Sequence, residues 1–168
     1  MKFHEHIIRA SIPELPFVLT REELARGIAD FARHPENFID EVSGSRPTTP
    51  EKPGKTPGSV TFSREISFGA LRFVEEIELS ADGNYHAHID ADGPRPASDF
   101  RIEIEEPEKG SLFLRFTYHE DRETPLKESA QEAQISQLRR RAYESKDRSI
   151  LVKILNDLVE RHAGAAHA

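Results

Sequence analysis

The chain contains no cysteine, no tryptophan and a single methionine in 168 residues. Without cysteine there can be no disulfide staple, thiol nucleophile or thiolate metal site. Without tryptophan, the 10 phenylalanines and 3 tyrosines must supply all the aromatic packing. No apolar run approaches the ~18 residues of a membrane span, and no basic-then-apolar segment opens the chain, so a cytoplasmic address is the default expectation. Basic charge is in deficit, with 30 acidic against 23 basic side chains and a net charge of −7. Since no Lys/Arg run persists through an apolar stretch, neither nucleic acid nor an anionic membrane is expected as a partner. The Gly-x-Ser-x-Gly elbow of serine hydrolases is missing, and so is any Gly-rich phosphate loop.

What is present is a change of period. From Val60 to His119 apolar residues recur at every second position, and from Leu126 to His162 they recur at helical spacing. That order predicts an α+β domain in which an antiparallel sheet is followed by one long closing helix. The length suits a single domain spanning 1–168.

Residues Phe3 to Ile12 read as a first strand, with Ile8, Ala10 and Ile12 on one face and Phe3 and Ile7 on the other. Thr20 and Glu23 form a capping box for a helix whose buried stripe is Leu24, Ile28 and Phe31. Pro35 starts a second, shorter helical turn, which leads to a brief strand around Val42. The proline-rich and glycine-containing run from Arg46 to Gly58 has no apolar residue larger than proline and reads as a mobile loop.

Phe68-Gly69-Ala70-Leu71 has the form of a type II′ hairpin turn. Further strands are expected at Tyr85–Ile89, at Phe100–Ile104 and at Leu112–Tyr118. Residues Glu106 to Gly110 turn the last hairpin, with Ile104 opposite Leu112, Ile102 opposite Leu114 and Phe100 opposite Phe116. Thr124-Pro125 resembles a helix start. Ile135, Leu138 and Ala142 begin a stripe that becomes dense at Ile150, Leu151, Ile154, Leu155, Leu158 and Val159. An unbroken helix from Pro125 would be too long for a compact chain, so a break is expected near Ser129, with a frayed tail at 163–168.

Counting outward from the Gly69 turn places Arg64 opposite Glu75 on an otherwise apolar face. A charge on a core face must be paired or solvated in a cavity. Two readings follow: a structural ion pair, or a polar anchor that orients a ligand carboxylate, carbonyl or phenol. His4 and His6 could share one strand face, and so could His86 and His88, but two strands would separate the pairs by roughly 14 Å, which argues against a joint metal site. A tight two-residue turn at Asp82-Gly83 would face His86 and His88 inward; the longer loop, the favoured reading, turns Tyr85, Ala87 and Ile89 inward instead. The run Arg139-Arg140-Arg141 reads as a solvated helix face.

Several stretches together are similar to one family: Phe3-Glu5-His6, Leu19-Thr20-Arg21-Glu22-Glu23-Leu24, Arg64-Glu65 with Phe68-Gly69, Ile104-Glu105-Glu106-Pro107, Leu112-Phe113-Leu114-Arg115-Phe116-Thr117-Tyr118, and Ala142-Tyr143 with Asp147. The chain resembles the AtaL-like proteins of the START and birch-pollen-allergen superfamily. The resemblance implies a helix-grip fold, a seven-stranded sheet around the last helix with a hydrophobic cavity between them and two short helices after the first strand. Carriers, polyketide cyclases and co-chaperone activators share that fold, so it does not choose a function.

Three functions are therefore carried forward. The first is binding of an apolar or aromatic small molecule, oriented by Arg64 and Glu75 and walled by Phe62, Phe73, Ile102, Leu114, Phe116, Tyr118, Leu151 and Leu155. The second is a cyclase or dehydratase in which Glu75 or Tyr118 moves protons. The third is a protein-interaction module without a ligand. No cofactor or metal is expected, and a homodimer is left open.

Overall fold

The computed structural model describes residues 1–123 and 128–166. The chain runs β1 (Lys2–Arg9), α1 (Arg21–Arg33), a 3₁₀ turn (Pro35–Asn37), β2 (Gly44–Pro47), β3 (Lys52–Pro53), β4 (Val60–Phe68), β5 (Leu71–Leu79), β6 (Tyr85–Ile89), β7 (Ser98–Glu108), β8 (Ser111–Glu120) and α2 (Ala130–Ala166). The sheet is antiparallel throughout, in the order β1-β8-β7-β6-β5-β4-β2, with β3 also on β4.

Alternation builds this sheet. Along β8, Leu112, Leu114, Phe116 and Tyr118 are all buried on one face, where α2 and α1 cover them. At one end of the molecule the filling is dense: Leu24 and Ile28 of α1, Ile150 and Ile154 of α2, and Ile102, Leu112 and Leu114 of the sheet are almost completely buried. Each such side chain contributes roughly 1.5–3 kcal/mol relative to an exposed one. The Thr20–Glu23 capping box is present, so the orphan amides of the first turn are satisfied.

Gly27 lets α1 approach α2 closely, because a Cβ there would lie 2.4 Å from Ile154 Cγ2. Gly27→Ala is expected to cost about 1–3 kcal/mol through overpacking, seen as a lower urea midpoint with an unchanged m-value.

The β4–β5 register is as expected, with Phe68 opposite Leu71 and Arg64 opposite Glu75. Gly69 has φ of 63° while Ala70 keeps a negative φ, as a type II′ turn needs. The last hairpin differs: Ile104 pairs with Leu114, Ile102 with Phe116 and Phe100 with Tyr118. The strands continue past Glu106 through an irregularity to a two-residue turn at Lys109-Gly110, with Glu108 opposite Ser111. A slip of two residues preserves every side chain's face, so apolar pairing could not reveal it.

Other boundaries also move. The first strand ends at Arg9; in regular register His4, His6 and Ile8 lie opposite Tyr118, Phe116 and Leu114 on the inner face and Ile7 is 47% exposed, while at the irregularity between Lys2 and His4 Phe3 is buried as well rather than sharing the face of Ile7. The strand expected around Val42 begins at Gly44. Within the run read as a loop, β2 and β3 both pair with β4, because an edge strand needs backbone hydrogen bonds on one side only and tolerates proline. The capping box of α2 is Ser129 with Glu132, whose backbone amides each bond to the other's side chain. From there α2 continues through Ala166, about 55 Å at ~1.5 Å per residue. The Thr124-Pro125 helix start lies outside the described residues. No helix among the described residues is long and apolar enough to cross a membrane.

Candidate functional site

The stripe that buries Ile150 and Ile154 continues towards the N-terminus of α2 as Asp147, Lys146, Tyr143 and Arg139, at three- and four-residue steps. Ile135 and Leu138, expected to begin the apolar stripe, are instead 52% and 58% exposed. Polar groups thus take the sheet-facing positions over the second half of the sheet. Between them and the inner faces of β4 to β8 lies a pocket of about 600 Å³. Its walls include Phe3, Phe68, Phe73, Phe100, Tyr118 and Tyr143, with Ile66, Ala87 and Ile89, while Pro94, Arg95 and Pro96 come from the β6–β7 loop.

Lys146 projects into this aromatic setting. Its Nζ lies 4.1 Å from the Phe100 ring centre, 4.8 Å from Tyr118 and 5.4 Å from Tyr143. Burial lowers its pKa, against the opposing charges of Asp147 and Glu75. Beside it, Asp147 is fully buried and is held from two sides: Tyr118 donates its hydroxyl to Oδ1 at 2.6 Å, and His6 Nε2 lies 2.6 Å from Oδ2. Burial and then the Asp147 charge raise the Tyr118 pKa well above the ordinary phenol value, so this hydroxyl stays protonated. Further along, Arg139 stacks 4.1 Å over the Phe3 ring and bonds to Glu120, whose carboxylate also meets Arg122 at 2.6 Å. The expected solvated face is therefore only Arg141, since Arg140 too lies over Phe3, at 4.8 Å.

The Arg64–Glu75 pair is real and buried, with Nε donating to Oε1 at 2.9 Å. Arg64 also donates to the Ala32 carbonyl and, at 2.9 Å, to the Tyr85 hydroxyl, so all three guanidinium nitrogens are bonded to protein. Burial opposes the Arg64 charge, yet Tyr85 and Glu75 outweigh it and raise its pKa. Burial also pushes the Tyr85 phenol far above its ordinary range, with Arg64 opposing.

The expected ligand residues divide by place. Phe73, Glu75 and Tyr118 line the pocket beneath α2. Phe62 and Arg64 line a second one of about 590 Å³, under Arg46, Pro47, Thr49 and Pro50. Ile102, Leu114, Phe116, Leu151 and Leu155 belong to the packed core and line neither.

Sequence reading passed over Lys146, Arg139 and the His6–Asp147 contact. Stepping backwards from Ile150 by helical spacing would have pointed to them.

The histidine pairs lie on opposite faces. His86 and His88 face outward, and Asp99 Oδ1 meets His86 Nε2 at 2.6 Å and His88 Nδ1 at 2.9 Å. Among the described residues no group of three or more His, Cys, Asp or Glu is placed to hold a metal ion. The Asp99 hydrogen bond chiefly raises the His88 pKa, while the two histidines pull the Asp99 pKa down against the effect of burial. A raised histidine stabilises the fold below its unfolded pKa near ~6.5 and loses that contribution as pH rises through the folded value. A lowered aspartate stabilises above ~3.9 and loses its contribution as pH falls through the lowered value. The node should therefore act fully between about pH 4 and 6.5. Because these groups are partly exposed, Asp99→Asn should cost only ~0.5 kcal/mol in that window and less at pH 9, as read by urea melts at both pH values.

An antiparallel sheet packed along one long C-terminal helix, with α1 and the 3₁₀ turn inserted after the first strand, is the helix-grip fold of the START and birch-pollen-allergen superfamily. The family model described as AtaL, acetylaranotin biosynthesis cluster protein L, matches residues 9–160, and the chain belongs to that family.

No curated protein sequence matches it. Among solved structures, TTHA0849 from Thermus thermophilus is similar at a TM-score of 0.58 and 13% identity, covering 92% of this chain and 96% of that one. The Zhui aromatase/cyclase from Streptomyces sp. R1128 is similar at 0.56 and 11%, covering 97% and 96%. The di-domain aromatase/cyclase StfQ from the steffimycin biosynthetic pathway is similar at 0.61 and 9%, covering 96% of this chain and 52% of that one. At such identities the likeness is one of fold.

Proposed function

We propose that the protein binds an apolar or aromatic small molecule with a polar end in the pocket between α2 and strands β4 to β8. The observation that carries this reading is that six aromatic residues line one pocket together with Lys146 and Glu75, three of the rings lying close to the Lys146 amine. Rings supply contact area for a flat apolar body, while the amine and carboxylate orient its polar end. A volume of about 600 Å³ suits a molecule of two to four fused rings. Glu75 is the part of the expected anchor that belongs to this site; Arg64, saturated by Glu75, Tyr85 and Ala32, acts by holding it. The family's association with a biosynthesis cluster, and the fold shared with aromatase/cyclases, support a biosynthetic intermediate as the ligand.

The test is titration calorimetry with 2-naphthoate, together with mass spectrometry of a denaturing extract of the freshly purified protein. Wild type is expected to bind in the micromolar range. Ala87→Leu, which fills the pocket from the sheet side, should weaken binding at least ~10-fold with little change in melting temperature. Equal affinity in both proteins would place the ligand elsewhere. No binding together with an empty extract would favour an interaction module.

A further inference from the structure

The amine of Lys146 is unusual in what it lacks. The nearest carboxylate oxygen among the described residues, Asp147 Oδ1, is 3.9 Å away, beyond hydrogen-bond reach. Both Asp147 oxygens are already engaged, one by Tyr118 and one by His6. Three rings enclose the amine and the pocket lies on its open side. Lysines set in apolar pockets without a tight ion pair are the ones that act as carbonyl nucleophiles, because less of their ammonium form is stabilised.

We propose that Lys146 condenses with an aldehyde or ketone group of the pocket's ligand, holding carbonyl compounds as a reversible protonated imine. The inference rests on the pocket being the ligand site. In net balance the ammonium and the carbonyl give an iminium and one water. The ammonium first sheds one proton to solvent. Its lone pair then forms the C–N bond while the carbonyl π pair moves to oxygen. The C–O bond breaks last, and the oxygen departs with two hydrogens that come in net from the nitrogen. Charge is conserved and no oxidant or reductant takes part.

The surroundings suit both ends of this step. Lowering of the Lys146 pKa by burial raises the fraction of free amine at neutral pH. The iminium is larger and more weakly hydrated than an ammonium, so it loses less on burial and still gains from the faces of Phe100, Tyr118 and Tyr143.

The experiment uses 2-naphthaldehyde with sodium cyanoborohydride, which traps an imine as a stable secondary amine, and 2-naphthylmethanol as the non-condensing analogue. Of the 7 lysines in the chain, Lys146 is expected to carry one adduct per molecule in tryptic mapping, forming at least ~10-fold faster than at any other lysine. Lys146→Met and Lys146→Arg should both lose that adduct, and a cooperative urea transition reports that they are folded. Adducts spread evenly over the lysines, or an unmodified Lys146 in a protein that binds the alcohol, would overturn the proposal and leave the binding reading standing. Failure of both aldehyde and alcohol to bind would remove the two together.

Discussion

Replacing Arg64 with methionine is expected to destabilise the fold by about 3–5 kcal/mol, the cost of breaking a buried ion pair from one side. The side chain is 3% exposed and Glu75 8%. Methionine would fill much of the arginine stem but leave three groups without their partner: the Glu75 carboxylate, the Ala32 carbonyl and the Tyr85 hydroxyl. A double variant, Arg64→Met with Glu75→Leu, should recover most of the loss, because removing both charges also removes their desolvation cost. Urea denaturation of the wild type, the two single variants and the double variant supplies the cycle. A loss below ~1 kcal/mol in the Arg64 variant would mean that water from the adjoining pockets solvates Glu75 in its absence.

Asp147→Ala is expected to be the second most damaging change, at about 2–4 kcal/mol, since a buried polar group left without a partner costs ~1–3 kcal/mol. Here the two groups are the Tyr118 hydroxyl and the His6 ring, joined only through the carboxylate between them. Asp147→Asn keeps an acceptor oxygen in place and should lose less than half as much. Tyr118→Phe removes the donor but leaves the buried Asp147 Oδ1 without one, and should cost ~1–3 kcal/mol. If Asp147→Ala and Tyr118→Phe prove additive, the contact between them contributes nothing beyond its parts. Melts of wild type, the Asp147→Ala and Tyr118→Phe single variants and the variant carrying both, at one pH, decide this.

How much of this was legible beforehand depended on the kind of evidence each residue offered. The Arg64–Glu75 pairing could be counted out correctly because Gly69 identifies a two-residue turn, and a turn of known length sets every later pair. The last hairpin also turns on a glycine, Gly110, but the chain from Glu106 onward read as one longer turn, and its apolar positions repeat every second residue. Registers shifted by one such repeat still pair most of Leu112, Leu114, Phe116 and Tyr118 with apolar partners. His86 and His88 were placed outward by loop length, and the structure agrees, with Tyr85 and Ala87 buried at 2% each. His4 and His6 share a face, as their spacing allows, but that it is the inner face follows from their pairing with Tyr118 and Phe116 of a strand distant in sequence.

Lys146 and Arg139 were hidden for a different reason. A charged residue on a helix is normally solvated, so the segment from Arg139 to Ser149 read as surface. Only the helical phase carried over from Ile150 shows that some of these residues point at the sheet, and that phase acquires meaning once the sheet is known to extend beneath them.

The division follows the range of the interactions. Local chemistry along the chain was enough for the α+β class, the period-2 strands, the capped first helix, the Gly69 turn and the long C-terminal helix, since each depends on residues within a few positions of one another. The chain also carried the pairing of Arg64 with Glu75. Its surroundings came from far away in sequence: Ala32 from α1 and Tyr85 from β6 use the guanidinium's remaining donors and make the pair a structural support. In the same way Lys146, Tyr118 and His6 meet around Asp147 from α2, β8 and β1. Such a meeting is set by the packing of a helix across a sheet, where a rotation by one residue would exchange which groups face the pocket, and no local preference of the chain specifies that rotation.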